Sequence, residues 1–448
     1  MAGSVAVSEQ DRTLTPDLCV IGGGTAGIAV AMAAALFGVP VVLVERDRLG
    51  GDRSRSVIAA LGGLAERCET VSPETADQQI HDHVQRFLVA QDRNYSRERL
   101  TALGIRVIEG EARFVSRSMV RVGGQTIKAR RFVIATGVEF SRPDGSDAIT
   151  PEALSPRVGL PQRPLVLGGG ATAVELAQAL QRLGAEVTLA APEALLPSHD
   201  PEGVALLRRA LLRDGVTIRE DAGDTTENGN HDAIILAGRP DAAIAALDLD
   251  LAGIERDADG IRVDRRMLTS NRRVYAIGSC ISGADREGDA ALTTHQAGIV
   301  LRRSLFRLPA RARQRGTAMV ATSPALARTG LDEAQARAKS ARIGVLRWPY
   351  ADNDHARAAG EADGFVKLLT DGKGRILGGS VAGARAGEVI ALIDLAMRQK
   401  LDVATLSELI LPQASYAEVA RRAALSWRTP MANRPGIRRL IGFLRRFG

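Results

Sequence analysis

Two glycine-rich turns hold the residues whose types and spacing could do chemistry. The first reads Gly22-Gly23-Gly24-Thr25-Ala26-Gly27, with Glu45 following 23 residues after Gly22. Glycine at 22, 24 and 27 leaves the turn without side chains, so a pyrophosphate can reach the free amides of a helix N-terminus, where the helix dipole also favours an anion. Glu45 stands where a carboxylate can accept hydrogen bonds from an adenosine ribose. The glycines alone would fit a packing turn without a ligand; strand, helix, spacing and acid together specify a dinucleotide site. The second turn reads Gly168-Gly169-Gly170-Ala171-Thr172-Ala173, and Gly168, Gly170 and Ala173 satisfy G-x-G-x-x-A, in which alanine packs the helix on the strand. The same offset from Gly168 lands on Ala191, in a run that offers no acid for a 2′-hydroxyl and no arginine for a 2′-phosphate. Binding of a nicotinamide nucleotide and a retained fold with a vacated site both remain open there, and NADH is not distinguished from NADPH.

Matching elements must hold these turns. Asp17 to Ile21 reads as a strand entering the first turn, an alanine-rich helical stretch runs to about Phe37, and Val41 to Glu45 reads as the next strand. The unit repeats, with Leu165 to Leu167 before the second turn, a helix after it and Glu186 to Leu189 as the returning strand. Two dinucleotide folds therefore share one chain. Between them lie a polar helical region, roughly Pro73 to Gln91, and strands around Arg106 to Phe114, Ser118 to Val122 and Arg131 to Ala135. Beyond Phe306 the pattern changes. Gly364 to Leu369 and Arg375 to Ala382 flank the turn Asp371-Gly372-Lys373-Gly374 as a hairpin, and helical runs follow near Glu388 to Arg398 and Tyr416 to Leu425. The fold class is α/β: two Rossmann-like dinucleotide-binding domains plus a C-terminal α+β domain.

At 448 residues and 45% apolar composition the chain is globular, with length for about three domains. Six arginines and no acid fall between Arg428 and Gly448, so they account for nearly all of the formal charge of +7. With 3% aromatic residues and a nearly neutral body, nucleic acid is not an expected partner. The cysteines Cys19, Cys68 and Cys280 are far apart, which argues against a disulfide framework or a zinc site and fits a reducing cytoplasm. Neither a signal peptide nor a membrane span is expected, because no apolar run approaches about 18 residues. His81 and His83 flank Asp82 with a spacing wrong for one helical face, so no metal site is expected.

From Leu18 to about Phe447 the ordered stretches GGGTAG, VERDRLGGD, GEARF, RFVIATG, LGGGATAVELAQ, TSNRRVYAIGS, SPALARTGLDEAQA and GFVKLLTDGKGRILGGSVAGARAGE resemble the flavoprotein disulfide reductases. Dihydrolipoamide dehydrogenases and mercuric-reductase-like proteins are the most similar branches. The resemblance implies FAD on the first fold, NAD(P)H on the second and a homodimer through the third domain. Residues 1–140 and 260–310 would form the FAD domain, 141–259 the NAD(P)-like domain, 311–427 the dimerisation domain and 428–448 a basic tail. By the same resemblance Gly22, Gly24, Gly27 and Glu45 hold the ADP half of FAD, with Gly51, Ala112 and Thr136 nearby. Where the family has A-x-G-D against the ribityl chain, this chain has Ala276-Ile277-Gly278-Ser279, so a neutral hydroxyl replaces a charged partner beside Gly278 and weakens that contact.

The redox centre departs from the resemblance. In the family G-G-D leads into C-x-x-x-x-C and then P-S-K; here Gly51-Asp52 leads directly into Arg53-Ser54-Arg55-Ser56. Matching Ser54 and Arg55 to S-K leaves a deletion that removes both cysteines and the residues between them. At the far end, the histidine of the family's H-P-T-x-x-E motif is replaced by Gln413, and a carboxamide has no pKa suited to base catalysis near neutral pH. Glu418 then reads as a helix N-terminal carboxylate. Arg55 and Glu175 stand for the family's lysine and glutamate at the flavin edge, either as a pair that steadies charge and gates nicotinamide access or as an ordinary ion pair. His295, beside the helical run Gln296 to Phe306, reads as a solvent or core residue.

In the tail, Ile437, Leu440, Ile441, Phe443, Leu444 and Phe447 share one helical face and Arg438, Arg439, Arg445 and Arg446 the other. Packing against the body or a second subunit and contact with an anionic membrane both fit that pattern. The expectation is a cytoplasmic FAD-dependent oxidoreductase, possible contact with the inner membrane face included. It would pass electrons from NAD(P)H or another donor to a non-disulfide acceptor, an unknown small molecule or a quinone. The rival is a catalytically inactive binding or assembly subunit.

Overall fold

The computed structural model describes residues 13–67, 76–140, 147–155, 159–220, 230–284, 290–312, 316–340, 342–429 and 435–447; Cys68 lies outside them. The chain divides into two compact units, one of residues 1–187 and 224–314, the other of residues 188–223 and 315–448.

The first unit is built on a five-stranded parallel sheet in the order Val274–Ala276, Arg131–Ile134, Leu18–Ile21, Val41–Glu45, Ile105–Glu109. Its central strands are unbroken apolar runs, as strands covered on both faces must be, and Leu18, Cys19, Val20 and Leu43 are wholly buried. The helix Thr25–Leu36 is apolar on most sides for the same reason: it buries Ala26, Ile28, Val30, Ala31 and Ala34, and Ala290–Ser304 packs along it. A three-stranded antiparallel sheet is formed by Ala112–Ser116, Met119–Val122 and Gln125–Ile127. The second glycine turn joins Pro164–Leu167, paired in parallel with Ala233–Leu236, to the helix Ala171–Arg182, and the helix Ser54–Ala65 packs against that helix.

Three expected elements are displaced. The strand read over Arg106 to Phe114 is two strands, Ile105–Glu109 and Ala112–Ser116, because Gly110 turns between them at φ +139, where a Cβ would meet Val122 Cγ1 at 2.9 Å. The strand read from Glu186 begins instead at Thr188, since the Glu186 amide donates to Gln162 O and the Val187 amide to Gln181 Oε1. The helix read from Gln296 begins six residues earlier, at Ala290, and ends at Ser304, three residues before Arg307 adopts φ +55.

The second unit pairs Thr188–Ala191 in parallel with Thr217–Glu220. Its main sheet is antiparallel, in the order Thr317–Val320, Ala325–Gly330, Ile376–Gly383, Phe365–Asp371, Ile343–Pro349. The helices Ala386–Arg398 and Glu418–Leu425 bury Val389, Ile390, Ile393, Val419 and Ala423 in the core beside it. Asp200 caps the helix Pro201–Asp214 through the Glu202 amide and takes a 2.7 Å ion pair from the nearly buried Lys367.

Candidate functional site

The first glycine turn is fixed by backbone contacts that no side chain would survive. Gly22 sits at φ +103, and a Cβ there would lie 2.4 Å from Ala135 O, just past the neighbouring strand; a Cβ on Gly27 would lie 1.8 Å from Gly22 O. These two glycines let helix and strand meet. Gly24, by contrast, faces open space, so its lack of a side chain leaves room for something other than protein. A second loop comes up against the turn: the Gly50 amide donates to Gly23 O at 2.8 Å, and Gly51, at φ +76, approaches Gly24.

Beside this double turn lies a cavity of about 300 Å³ lined by Gly22, Glu45, Gly51, Ala112 and Thr136, five of the expected FAD residues. Glu45, the last residue of its strand, accepts the Gly23 amide at 2.5 Å and the Asp47 amide at 2.8 Å. These bonds aim its carboxylate into the turn while leaving lone pairs for further donors. Thr136, in the cavity wall, has a buried Oγ1 with no nitrogen or oxygen partner among the described residues, and its side chain interacts with the Cys280 thiol. An open glycine at the helix N-terminus and a placed acid in the wall of the adjoining cavity fit the ADP half of a dinucleotide. Gly278 lies beside the first turn of the first helix, where a Cβ would meet Ala26 and Thr293 at 3.7 and 3.8 Å; its amide donates to Gln296 Oε1, and Ser279 follows in the same short turn.

The sequence reading missed the charged rim of this cavity. Arg46, Arg48, Asp52, Glu139 and Glu152 all line it; Arg48 pairs with Glu152, and Arg46 lies 3.6 Å from Glu139. Asp52, one residue before the N-cap Arg53, accepts the first amide of the helix Ser54–Ala65, that of Ser54, at 2.7 Å. Burial pushes the Asp52 carboxyl above its ordinary value, against the Ser54 hydrogen bonds that lower it, and Glu152 adds to the rise.

Arg55 and Glu175 are brought together. Arg55 Nη1 lies 3.1 Å from Glu175 Oε2 and 3.5 Å from Thr172 Oγ1, and Glu175 is almost fully buried. Gly168, Gly170 and Ala173 flank the start of the same helix as Glu175: Gly168 sits at φ +145 with a Cβ position 2.6 Å from Ala237 O, Gly170 is the N-cap and Ala173 is buried. None of the three lines the cavity described above. Ala191, at the expected acid position, is the last residue of its strand and wholly buried.

No thiol stands in the loop that leads from Gly51 to Ser54. Cys19 is buried in the central strand, where burial pushes its thiol up to about 12. Cys280 is buried too, its pKa raised by burial, and its thiol donates to Ile277 O at 3.2 Å. Both described cysteines are free and have the character of inert core residues. In the second unit Gln413 is exposed, while Glu418, at the first position of its helix, lies 3.0 Å from Arg422 and 3.4 Å from Arg421. Tyr416 donates to Glu361.

The sequence profile described as "Pyridine nucleotide-disulphide oxidoreductase" matches residues 16–299, and the dimerisation-domain profile of the same name matches residues 317–424. The chain belongs to the pyridine nucleotide-disulphide oxidoreductase family. Among its curated relatives in that family, the dihydrolipoyl dehydrogenase of Thermus scotoductus is 31% identical over 92% of this chain and 97% of its own length. The mercuric reductase of Bacillus cereus is 29% identical over 92% of this chain and 71% of its own. The solved structure of RclA, an HOCl-induced flavoprotein disulfide reductase from Escherichia coli, superposes with a TM-score of 0.77 at 25% identity, covering 91% of this chain and 98% of RclA. LpdA of Mycobacterium tuberculosis shares the fold, with a TM-score of 0.80 at 23% identity over 93% of this chain and all of its own. The family is one of FAD-dependent oxidoreductases, and the dimerisation domain supports a homodimer. Among the described residues no helix is long and apolar enough to cross a membrane, and no cluster of three or more His, Cys, Asp or Glu could hold a metal.

Proposed function

We propose that this chain is an FAD-dependent oxidoreductase that passes electrons from NAD(P)H or another donor to a non-disulfide acceptor, without dithiol chemistry. The observation that carries the reading is the direct run from Gly51 through Asp52 into the helix at Ser54, with Asp52 accepting the Ser54 amide and no cysteine in the passage. When bound, FAD supplies the two-electron carrier. In this reading Gly22, Gly24 and Gly27 admit its pyrophosphate to the helix N-terminus, Glu45 takes the ribose hydroxyls, Gly51, Ala112 and Thr136 form the cavity wall, and Gly278 and Ser279 meet the ribityl chain. Gly168, Gly170 and Ala173 are proposed for the nicotinamide nucleotide. Arg55, held by Glu175, would offer a fixed positive charge that could steady the negative charge of a reduced flavin.

Gln413 supports the loss of thiol chemistry from the other end of the chain, since it cannot move the proton that a dithiol needs. The acceptor is a small molecule, a quinone among the classes that accept two electrons and two protons. A binding or assembly role without catalysis is the second reading, favoured by the buried alanine at 191 where the first fold carries Glu45.

The test is the visible spectrum of the purified protein before and after anaerobic NADH or NADPH, followed by reoxidation with a water-soluble quinone or with lipoamide and glutathione disulfide. The expected result is a yellow protein bleached by one nucleotide and recoloured by the quinone alone. Turnover of either disulfide would overturn the non-disulfide acceptor. A colourless protein that takes up no FAD would favour the second reading, and bound flavin indifferent to both nucleotides would remove the second turn as the point where electrons arrive.

A further inference from the structure

Among the described residues the helix Pro435–Leu444 is the least buried. None of its residues is buried, and Leu440, Ile441, Phe443, Leu444 and the following Phe447 are each at least half exposed. All five lie on one face, with Phe443 and Phe447 in edge-to-face contact at 5.0 Å, while Arg438, Arg439, Arg445 and Arg446 occupy the other. Ten residues with glycine at 436 and 442 make a marginal helix in water, so a surface that covers the apolar face should be what holds it.

Three surfaces could do so, and charge separates them. From Arg428 to the end the chain carries six arginines and no acid, whereas the remainder is nearly neutral overall and leaves the apolar face at least half exposed. A second copy of the tail would bring like charge against like charge. An anionic bilayer supplies both the apolar layer and the opposite sign. The helix is about 15 Å long, roughly half the hydrocarbon thickness, so it can lie in the interface but not span it.

We propose that this C-terminal helix seats the protein on an anionic lipid surface, its aromatic and aliphatic face among the upper acyl chains and its arginines at the headgroups. The inference is independent of the redox reading: it would stand for an active enzyme or an inactive subunit. It adds a location, and for an enzyme it would bring the site to acceptors dissolved in lipid.

Sedimentation of the full-length protein with vesicles tests it. Vesicles of phosphatidylcholine with roughly one third phosphatidylglycerol should carry the protein down and vesicles of phosphatidylcholine alone should not, with binding lost as salt is raised from about 0.1 to 0.5 M. Arg445→Gln with Arg446→Gln should weaken binding on the order of thirtyfold, and Leu440→Ser with Phe443→Ser on the order of a hundredfold or more. Helical circular dichroism should rise on the anionic vesicles only. Equal binding to both vesicles, or to neither, would overturn the proposal. So would a lowered melting temperature or a changed oligomeric state in the Leu440→Ser with Phe443→Ser variant, since the face would then be covered by the body or by a second copy.

Discussion

The two glycine turns have the same backbone solution and different chemical furniture. At both, the opening glycine sits at positive φ, and a Cβ would fall about as far from a carbonyl just past the adjoining strand, 2.4 Å from Ala135 O at Gly22 and 2.6 Å from Ala237 O at Gly168. That constraint is internal to the protein and persists whether or not a ligand binds. What differs is the reach beyond it: the strand after the first turn ends in Glu45, aimed at the turn by two amides, and the strand after the second ends in buried Ala191. Glycines in such a motif therefore testify first to packing. The acid and the cavity are what testify to a ligand.

The largest expected effect follows from that distinction. At the third defining position of the motif the first turn has Gly27 and the second has Ala173, and a Cβ at 27 would lie 1.8 Å from Gly22 O. Gly27→Ala should therefore destabilise the protein by about 3 kcal/mol in denaturant unfolding, whereas Ala173→Gly should cost about 1 kcal/mol. A Gly27→Ala protein as stable as the parent would mean that the first helix can shift as the second does, and the closer packing at the first turn would lose its meaning.

Next in size is the acid. Glu45→Ala should weaken FAD retention on the order of a hundredfold, read by dilution or dialysis of the yellow protein, because it removes charge-assisted hydrogen bonds to the ribose. Glu45→Gln should fall between. Unchanged retention in Glu45→Ala would leave the first turn no better furnished than the second.

Arg55 bridges the two regions, since its helix follows the first fold's second strand and Glu175 lies in the helix of the second turn. Arg55→Met should slow reduction by NAD(P)H roughly tenfold in stopped flow with flavin content unchanged, and Arg55→Lys should recover most of that rate. A fall in melting temperature with no change in the reduction rate would make the pair structural.

Much of this was legible in the residues because local rules decided it. Unbroken apolar runs, alanine-rich helices and glycine spacing fix the strand, turn and helix units, and the Asp371-Gly372-Lys373-Gly374 turn announces its hairpin. Legibility failed where long-range partners decide. Arg48 and Glu152 meet across 104 residues of sequence, and nothing periodic in VERDRLGGD marks Arg46, Arg48 or Asp52 as a cavity rim. Likewise the strand expected at Glu186 starts late because the side chain of Gln181 and the backbone of Gln162 claim two amides, a choice invisible to alternation of apolar residues.

Asp52 gives the smallest effect and the finest measure of the first turn. Burial lifts its carboxyl above the ordinary value of 3.8, so the folded protein holds that proton to higher pH than the unfolded chain does. Where the folded state binds more protons, stability falls as pH rises, here from about pH 4 up through the raised value, and is flat beyond it. Asp52→Asn keeps an oxygen for the Ser54 amide and removes the proton, so the variant should gain on the parent by about one or two degrees of melting temperature across that window and hold the gain at neutral pH. A pyrophosphate beside Asp52 would penalise the carboxylate further, so the gap should be wider with FAD bound than without it. If the parent instead gains on the variant as pH rises, the Ser54 hydrogen bond outweighs burial, Asp52 is an anion in the cavity, and the first turn is less ready for a phosphate than its glycines suggest.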